Sequence, residues 1–289
     1  MMTGHSFRTS FPEEMIRHGD REFVIQASFC KHGVEQSVKI HFDGKKKQVF
    51  HNEAKLCTNG ALLGHLQGVI LTPDHIQLVK GGPQIRRHYL DLLLAQIDPL
   101  YVHHLTRYTK ALKQRNLQLK ERRCEAIDVW EEQMAYSATF LTGKRQEIID
   151  RITPCAKDVY YKLAGEKISL GLIYKPFGQA KTFEEFSAQF KRHRAKEMEM
   201  GYTMTGPHRD DFLIGIGDNE ARNFASEGQK HTLVAALFLA KWHIIQTLSD
   251  ALPLLLIDDV GVGLDATRRK NMMEYLETLG QVVLTSTEE

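Results

Sequence analysis

Apolar and polar residues alternate in two early stretches, Phe23-Val24-Ile25-Gln26-Ala27 and Gln36-Ser37-Val38-Lys39-Ile40-His41-Phe42, and strand-like residues continue over 45–50. A period of two puts one side of a strand on a core and the other in water. Asp43-Gly44 stands between the second and third stretches, a favoured hairpin pair because glycine takes positive φ freely. Together they predict an antiparallel β-meander over 22–51. Lys45-Lys46-Lys47 beside the turn reads as its solvated edge. Val69-Ile70-Leu71 is one further short strand.

The period then changes. Tyr101, Leu105, Tyr108, Leu112 and Leu119 recur at three, four or seven, which predicts helix over 98–150. Pro83 after Gly81-Gly82 marks an earlier helix start. Strand is predicted over 167–175 and 212–216, and helix over 183–200 and 230–248. The last of these leads to Pro253-Leu254-Leu255-Leu256-Ile257-Asp258-Asp259, then to helix over 266–279 and a strand over 282–284. A continuous apolar run is the mark of a strand buried on both faces, as in a parallel sheet. The order predicts an α/β fold with a helical insertion over roughly 75–200. Three segments follow: 1–75 with the meander, 76–200 as the helical arm, and 201–289 as the catalytic block.

Ligands bind at the carboxyl ends of parallel strands, which is where Asp258 and Asp259 fall. An apolar strand ending in two acids has the form of a Walker B segment. Asp258 would hold Mg²⁺, and Asp259 would orient or deprotonate a water attacking a phosphate. The plainer reading is a buried strand ending in a helix cap, since aspartate caps helices well. Upstream, Ser226-Glu227-Gly228-Gln229 opens a long helix, and a helix N-terminus with free N–H groups is a ready phosphate site. The order Ser-x-Gly-Gln, helix, apolar strand, Asp-Asp, Leu264-Asp265 resembles the second half of an ABC-type ATPase head. That resemblance gives Ser226, Gly228 and Gln229 a role on the partner subunit's ATP, and Leu264 and Asp265 a place in the D-loop at a dimer interface.

Composition narrows the field. The 289 residues are 42% hydrophobic and 26% charged with a net charge of +2, so a nucleic-acid role must come from local basic patches. Arg107, Lys110, Lys113 and Arg115 form one candidate patch, and Lys191, Arg192 and Arg194 a second. The four cysteines are far apart and form no C-x-x-C pair, which leaves zinc and thioredoxin chemistry without support. No apolar run reaches membrane-spanning length and no signal-peptide core opens the chain, so a cytoplasmic, membrane-free protein is expected.

Two runs sharpen the resemblance. One is Pro73-Asp74 through Gly81-Gly82-Pro83, Arg86-Arg87 and Tyr89-Leu90-Asp91; the other is Gly206-Pro207-His208-Arg209-Asp210. Their spacing resembles that of the RecF family of bacterial recombination-repair ATPases, as does the 114–120 stretch. The resemblance implies a DNA replication and repair protein that uses ATP and Mg²⁺, dimerises around ATP and grips DNA at single-strand gaps. It also implies RecR, RecO and RecA as partners and a part in the SOS response. A role in structure or at an interface, not metal binding, is expected for Asp210.

The chain departs from the family pattern in several places. No Gly-x-x-x-x-Gly-Lys-Ser/Thr occurs; Gly143-Lys144-Arg145 is a decoy inside a predicted helix. In the family that loop precedes the stretch matching Gly4-His5-Ser6-Phe7-Arg8, so the match looks truncated at both ends. The expected consequence is no ATP hydrolysis by this chain alone. A non-hydrolysing DNA-binding scaffold is therefore a second reading, and a transport ATPase a remote one. Val262 and Gly263 replace the usual small residue and acid before Leu-Asp. Glu227 sits inside the signature and is expected to point away from a phosphate. Thr285-Ser286 stands where transporters have histidine, and no glutamine aligns near Thr72-Pro73-Asp74.

Overall fold

The computed structural model describes residues 6, 9, 11–57, 62, 64–166, 169–249, 252–259 and 261–286. The Gly4-to-Arg8 match lies outside them apart from Ser6. Four antiparallel strands come first: β1 (Phe23–Lys31), β2 (Val34–Phe42), β3 (Lys47–His51) and β4 (Ala54–Lys55). The meander is thus where the alternation places it. Asp43-Gly44 joins β2 to β3, with Gly44 at φ 83° and the Asp43 carboxylate accepting from the N–H groups of Lys45 and Lys46. The β1–β2 turn uses His32-Gly33, both at positive φ, a twist that suits a two-residue hairpin. Val38, Ile40, Val49 and Leu62 form a small core under this sheet.

β5 (Gly68–Leu71) leads into α1 (Gln77–Lys80), α2 (Pro83–Ile97), α3 (Pro99–Glu121) and α4 (Ile127–Ala164). Next come β6 (Leu170–Lys175), α5 (Phe183–Met200), β7 (Asp211–Ile216), β8 (Asn219–Glu220) and α6 (Ala221–Phe224). The chain closes with α7 (Glu227–Ser249), β9 (Leu254–Ile257), α8 (Ala266–Glu277) and β10 (Val282–Leu284). The helix expected over 98–150 is in fact two. Arg122, at φ 55°, ends α3, and α4 runs on through Pro154 to Ala164. A proline inside a helix removes a hydrogen bond and crowds the preceding turn. Here the buried residues Ile149, Ile152, Ala156, Val159 and Leu163 hold both halves of α4 to the core.

Two further sheets carry the site. β9 lies between β5 and β10, all parallel, and β7 pairs antiparallel with β6 and β8. α7 packs under the parallel sheet and against α4, with every residue from Thr232 to Trp242 buried. A helix apolar on all sides belongs in a core. α7 also corrects the expectation about membrane-spanning length: it has the length and apolarity of such a segment, and 67% of its most apolar window is buried in the protein.

Candidate nucleotide and nucleic-acid site

The parallel sheet places the two acids. The Asp258 N–H donates to Leu71 O at 2.9 Å and the Thr285 N–H to Ile257 O at 2.9 Å, so the strand ends are level. Thr285 Oγ1 donates to Asp258 Oδ1 at 2.8 Å and accepts from the Asp259 N–H at 3.0 Å. Asp259 takes φ 55°, a left-handed conformation that non-glycine residues adopt at a cost and that clusters at functional sites. Neither acid caps the following helix. That cap is Asp265, which accepts from the Arg268 N–H at 2.9 Å. The helix-cap reading of Asp258-Asp259 therefore falls, and Leu264-Asp265 leads directly into α8.

The signature lies beside this loop. The Ser226 N–H donates to Gln229 Oε1 at 2.9 Å and the Gln229 N–H to Ser226 Oγ at 3.2 Å, a reciprocal cap on α7. Gly228 permits close approach: a Cβ there would lie 2.9 Å from Arg268 Nη1 and 3.9 Å from Gly263 O. The Glu227 carboxylate turns to Lys80 at 2.5 Å and Lys230 at 3.2 Å, and these bonds hold its pKa below the usual range. Gly263 has a physical reason to be glycine. It sits at φ 74°, and any Cβ would run into the His231 ring. Asp258, Asp259, Val262 and Leu264 share one narrow cleft with Thr72 and with His231, Val234 and Ala235 of α7.

The family-like runs meet at a second place, 81–91 on α2 and 206–211 before β7. Arg86 grips Asp211 through two bonds, Nε–Oδ1 at 2.7 Å and Nη2–Oδ2 at 2.9 Å. Arg87 Nη1 donates to Asp210 O at 2.7 Å. The pair is not a solvated one: Arg86 is buried and Arg87 half-buried. Asp210 is buried as well, accepting from the Phe177 N–H at 2.7 Å, from the Tyr174 hydroxyl and from Arg145. Arg145 joins the two runs, bonding Asp91 at 2.8 Å and Pro207 O at 2.7 Å. In the sequence Arg145 stands out only as part of the decoy loop. Gly143 in fact lies inside α4, where no phosphate-cradling loop can form. An arginine on the buried face of a strongly periodic helix was the signal available.

The other motif residues fit the same junction. Gly81 stays a glycine because a Cβ would lie 2.5 Å from Gln77 O, Gly82 is exposed, and Pro83 starts α2. Gly206, at φ 124°, lets the Tyr108 hydroxyl approach to 2.5 Å of where a Cβ would stand. That hydroxyl donates to His208 Nδ1 at 2.7 Å, while Nε2 donates to Thr203 O at 3.1 Å. Burial pushes His208 down to about 4, so this neutral tautomer persists at neutral pH. Pro207 is buried and Arg209 lies 5.3 Å over the Phe177 ring.

The basic candidates separate. Lys110, Lys113, Lys191 and Arg192 are exposed, and Arg107 lies half-buried 5.4 Å over the Tyr136 ring. Arg115 must be withdrawn as a phosphate ligand. It is fully buried, paired with Glu131 at 2.9 Å and Glu197 at 2.7 Å, because it falls on the inward stripe of α3. Arg194 is held by Glu131 at 2.5 Å and by Asp128, which leaves its charge already compensated.

Taken together, the sheet, the capped signature helix and the inserted helices define an ABC-type ATPase head. No family model matches the chain. RecF of Protochlamydia amoebophila is 42% identical over 294 residues, covering 100% of this chain and 82% of that one. RecF of Chlamydia caviae is 33% identical, covering 98% and 79%. Among solved structures, the recombination mediator protein RecF bound to ATP, of the RecFOR pathway, superposes with TM-score 0.90 at 26% identity over 100% of this chain and 80% of that one. An Smc head domain from Pyrococcus furiosus shares the fold, with TM-score 0.52 at 15% identity over 97% and 76%. The chain belongs to the RecF family of DNA replication and repair proteins.

Proposed function

We propose that this chain supplies half of a composite ATP site in a dimeric, DNA-gripping clamp. The observation that carries the reading is the proximity of Gly228, at the capped start of α7, to the loop that joins Asp258-Asp259 to Leu264-Asp265. A capped helix N-terminus offers N–H donors to an anion, and here they would face the γ-phosphate held by a second subunit. Asp258 offers one carboxylate for Mg²⁺, and among the described residues no cage of three ligands surrounds it. Such a donor set suits an ion that keeps its waters and arrives with the nucleotide's phosphates. Bound there, Mg²⁺ would neutralise charge on the transferring phosphoryl group. Thr285 holds the Asp258 carboxylate in place. Asp259 would accept a proton from the attacking water.

The DNA surface in this reading is the outer side of the helical insertion, where Lys110, Lys113, Lys191 and Arg192 are exposed. RecO, RecR and RecA would be the protein partners at single-strand gaps, in the cytoplasm. The experiment is ATP-dependent dimerisation with a RecF relative that carries the phosphate loop, followed by sedimentation with and without gapped DNA. Dimers that require ATP and disappear on Ser226→Arg support the reading. Dimers indifferent to ATP contradict it.

A further inference from the structure

Beside the Gly206-to-Asp210 turn lies a cleft outside the composite ATP site, sharing only Arg192 with the basic surface. It measures about 560 Å³, within the range of small-molecule sites. Phe177 and Gly178 line one side, Gln189, Arg192 and His193 of α5 another, and Thr205 a third. Gln189 and Thr205 are 6% and 7% exposed. Gln189 Nε2 and Thr205 Oγ1 find no hydrogen-bond partner among the described residues. Buried polar atoms are almost always satisfied; these two lie covered just under the cleft wall, where a side-chain rotation would present them to an occupant.

The walls indicate its chemistry. Gly178 takes φ 118°, and a Cβ there would lie 2.8 Å from Gln189 Oε1, so glycine lets the loop close over the amide. The Phe177 N–H bond to Asp210 fixes that loop to the motif. Arg209 lies 5.3 Å over the exposed Phe177 ring. An exposed aromatic ring with a guanidinium over it is a stacking surface for a base. Arg192 is exposed on α5. His193 Nδ1 bonds to Gln189 O at 2.9 Å, which leaves Nε2 as its outward nitrogen. One acid lines the cleft, Glu185, and it is engaged in capping α5, accepting from the Lys181 and Thr182 N–H groups at 2.7 and 3.1 Å.

We propose that this cleft binds a nucleoside monophosphate unit, with its base on Phe177–Arg209 and its phosphate near Arg192. The unit is either a free nucleotide or the terminal nucleotide of a DNA strand. Only the strand-end form rests on the DNA-binding reading above. Once rotated toward the cleft, the donor Gln189 Nε2 and the hydroxyl of Thr205 would meet acceptors on the base or sugar.

Calorimetry on the whole chain tests this with dAMP, which lacks the γ-phosphate that the signature would read. dAMP should bind, and deoxyadenosine and inorganic phosphate should each bind at least about tenfold more weakly, the effect of removing one charge-assisted hydrogen bond or one stacked base. Thr205→Val and Arg192→Gln should each weaken dAMP about tenfold, and Phe177→Ala should weaken dAMP but not phosphate. Ser226→Arg should leave dAMP binding unchanged, which separates this site from the composite one. A 5′-phosphorylated oligonucleotide that outcompetes dAMP marks the strand end as the source; one that competes no better than dAMP marks the free nucleotide. The proposal is overturned if dAMP gives no binding at millimolar concentration, so that water alone serves the orphan atoms. It is also overturned if Thr205→Val and Arg192→Gln, both folded by circular dichroism, bind dAMP as the unmodified chain does. Phosphate binding as tightly as dAMP would reduce the cleft to an anion site and overturn the nucleotide assignment.

Discussion

Arg86 and Asp211 are 125 residues apart in sequence and meet through two parallel bonds of 2.7 and 2.9 Å. The pair fastens α2, which follows the Gly81-Gly82-Pro83 turn, to the first residue of β7. Through Lys80 and Glu227 the same turn also touches the start of the signature helix. The two family-like runs are thus the two sides of one joint.

Breaking that joint on one side strands a buried guanidinium. Asp211→Ala should lower unfolding stability by about 3 kcal/mol, whereas Arg86→Met with Asp211→Leu should be clearly less destabilising, because an apolar pair leaves no unpaired charge. Urea unfolding of the three proteins checks this; equal destabilisation in the single and double variants would count against it.

DNA binding by this chain should be salt-sensitive and indifferent to sequence. Lys110→Ala with Lys113→Ala should reduce the slope of log K against log salt by about two, roughly one unit for each phosphate that is no longer neutralised. Arg115→Ala should leave the slope alone and instead cost about 3–5 kcal/mol of stability, because Glu131 and Glu197 stay buried without their partner. Fluorescence anisotropy across a salt series, beside thermal unfolding, separates the two effects. An unchanged slope for the lysine pair would move the DNA surface elsewhere.

Burial sets the pH dependence of stability. His75 and His208 are held at about 4, below the ordinary 6.5, chiefly by desolvation. Between those values the unfolded chain binds more protons than the folded one. Stability is therefore full above pH 6.5 and declines as the pH falls toward 4, by up to roughly 3 kcal/mol per histidine. Lys241, buried against the Tyr89 ring, is lowered from 10.5 to about 7 by desolvation. It adds the same sign of slope higher up: stability should rise from pH 7 toward 9, and Lys241→Met should raise stability at pH 7 and flatten that rise. Denaturation midpoints at pH 5, 7 and 9 read both effects. A midpoint higher at pH 5 than at pH 7 would contradict the histidine assignment.

The parts of this fold that depend on local pattern were legible in the sequence. Alternation located β1 to β3, Asp43-Gly44 marked a turn, Ser226 announced the start of α7, and the run ending at Ile257 was a strand of a parallel sheet, although only Leu255 and Ile257 are buried and Leu254 and Leu256 are half-buried. What remained hidden is set by tertiary packing. Arg115 and Lys113 look alike in a charge count, yet one points into the core and the other into water. Pro154 favours a helix end, but packing carries α4 past it. Arg145 became visible as the link between two motifs only once α4 was laid against α2. Gly263 looked like a departure from the family and proves to be the space that His231 occupies.

The Ser226-to-Gln229 signature should act on a nucleotide held by another subunit. The direct measurement is ATP turnover in a mixture of this 289-residue chain with a RecF relative that carries the phosphate loop and has its own signature serine changed to arginine. Each protein alone should be inactive: the relative lacks a working signature, and the 289 residues tested contain no Gly-x-x-x-x-Gly-Lys-Ser/Thr to offset the repulsion between Asp258, Asp259 and a triphosphate. The mixture should regain one working site, and Ser226→Arg in this chain should abolish it. Turnover by this chain alone that disappears on Asp259→Asn, or no turnover in a mixture shown to form heterodimers, would contradict action of the signature in trans.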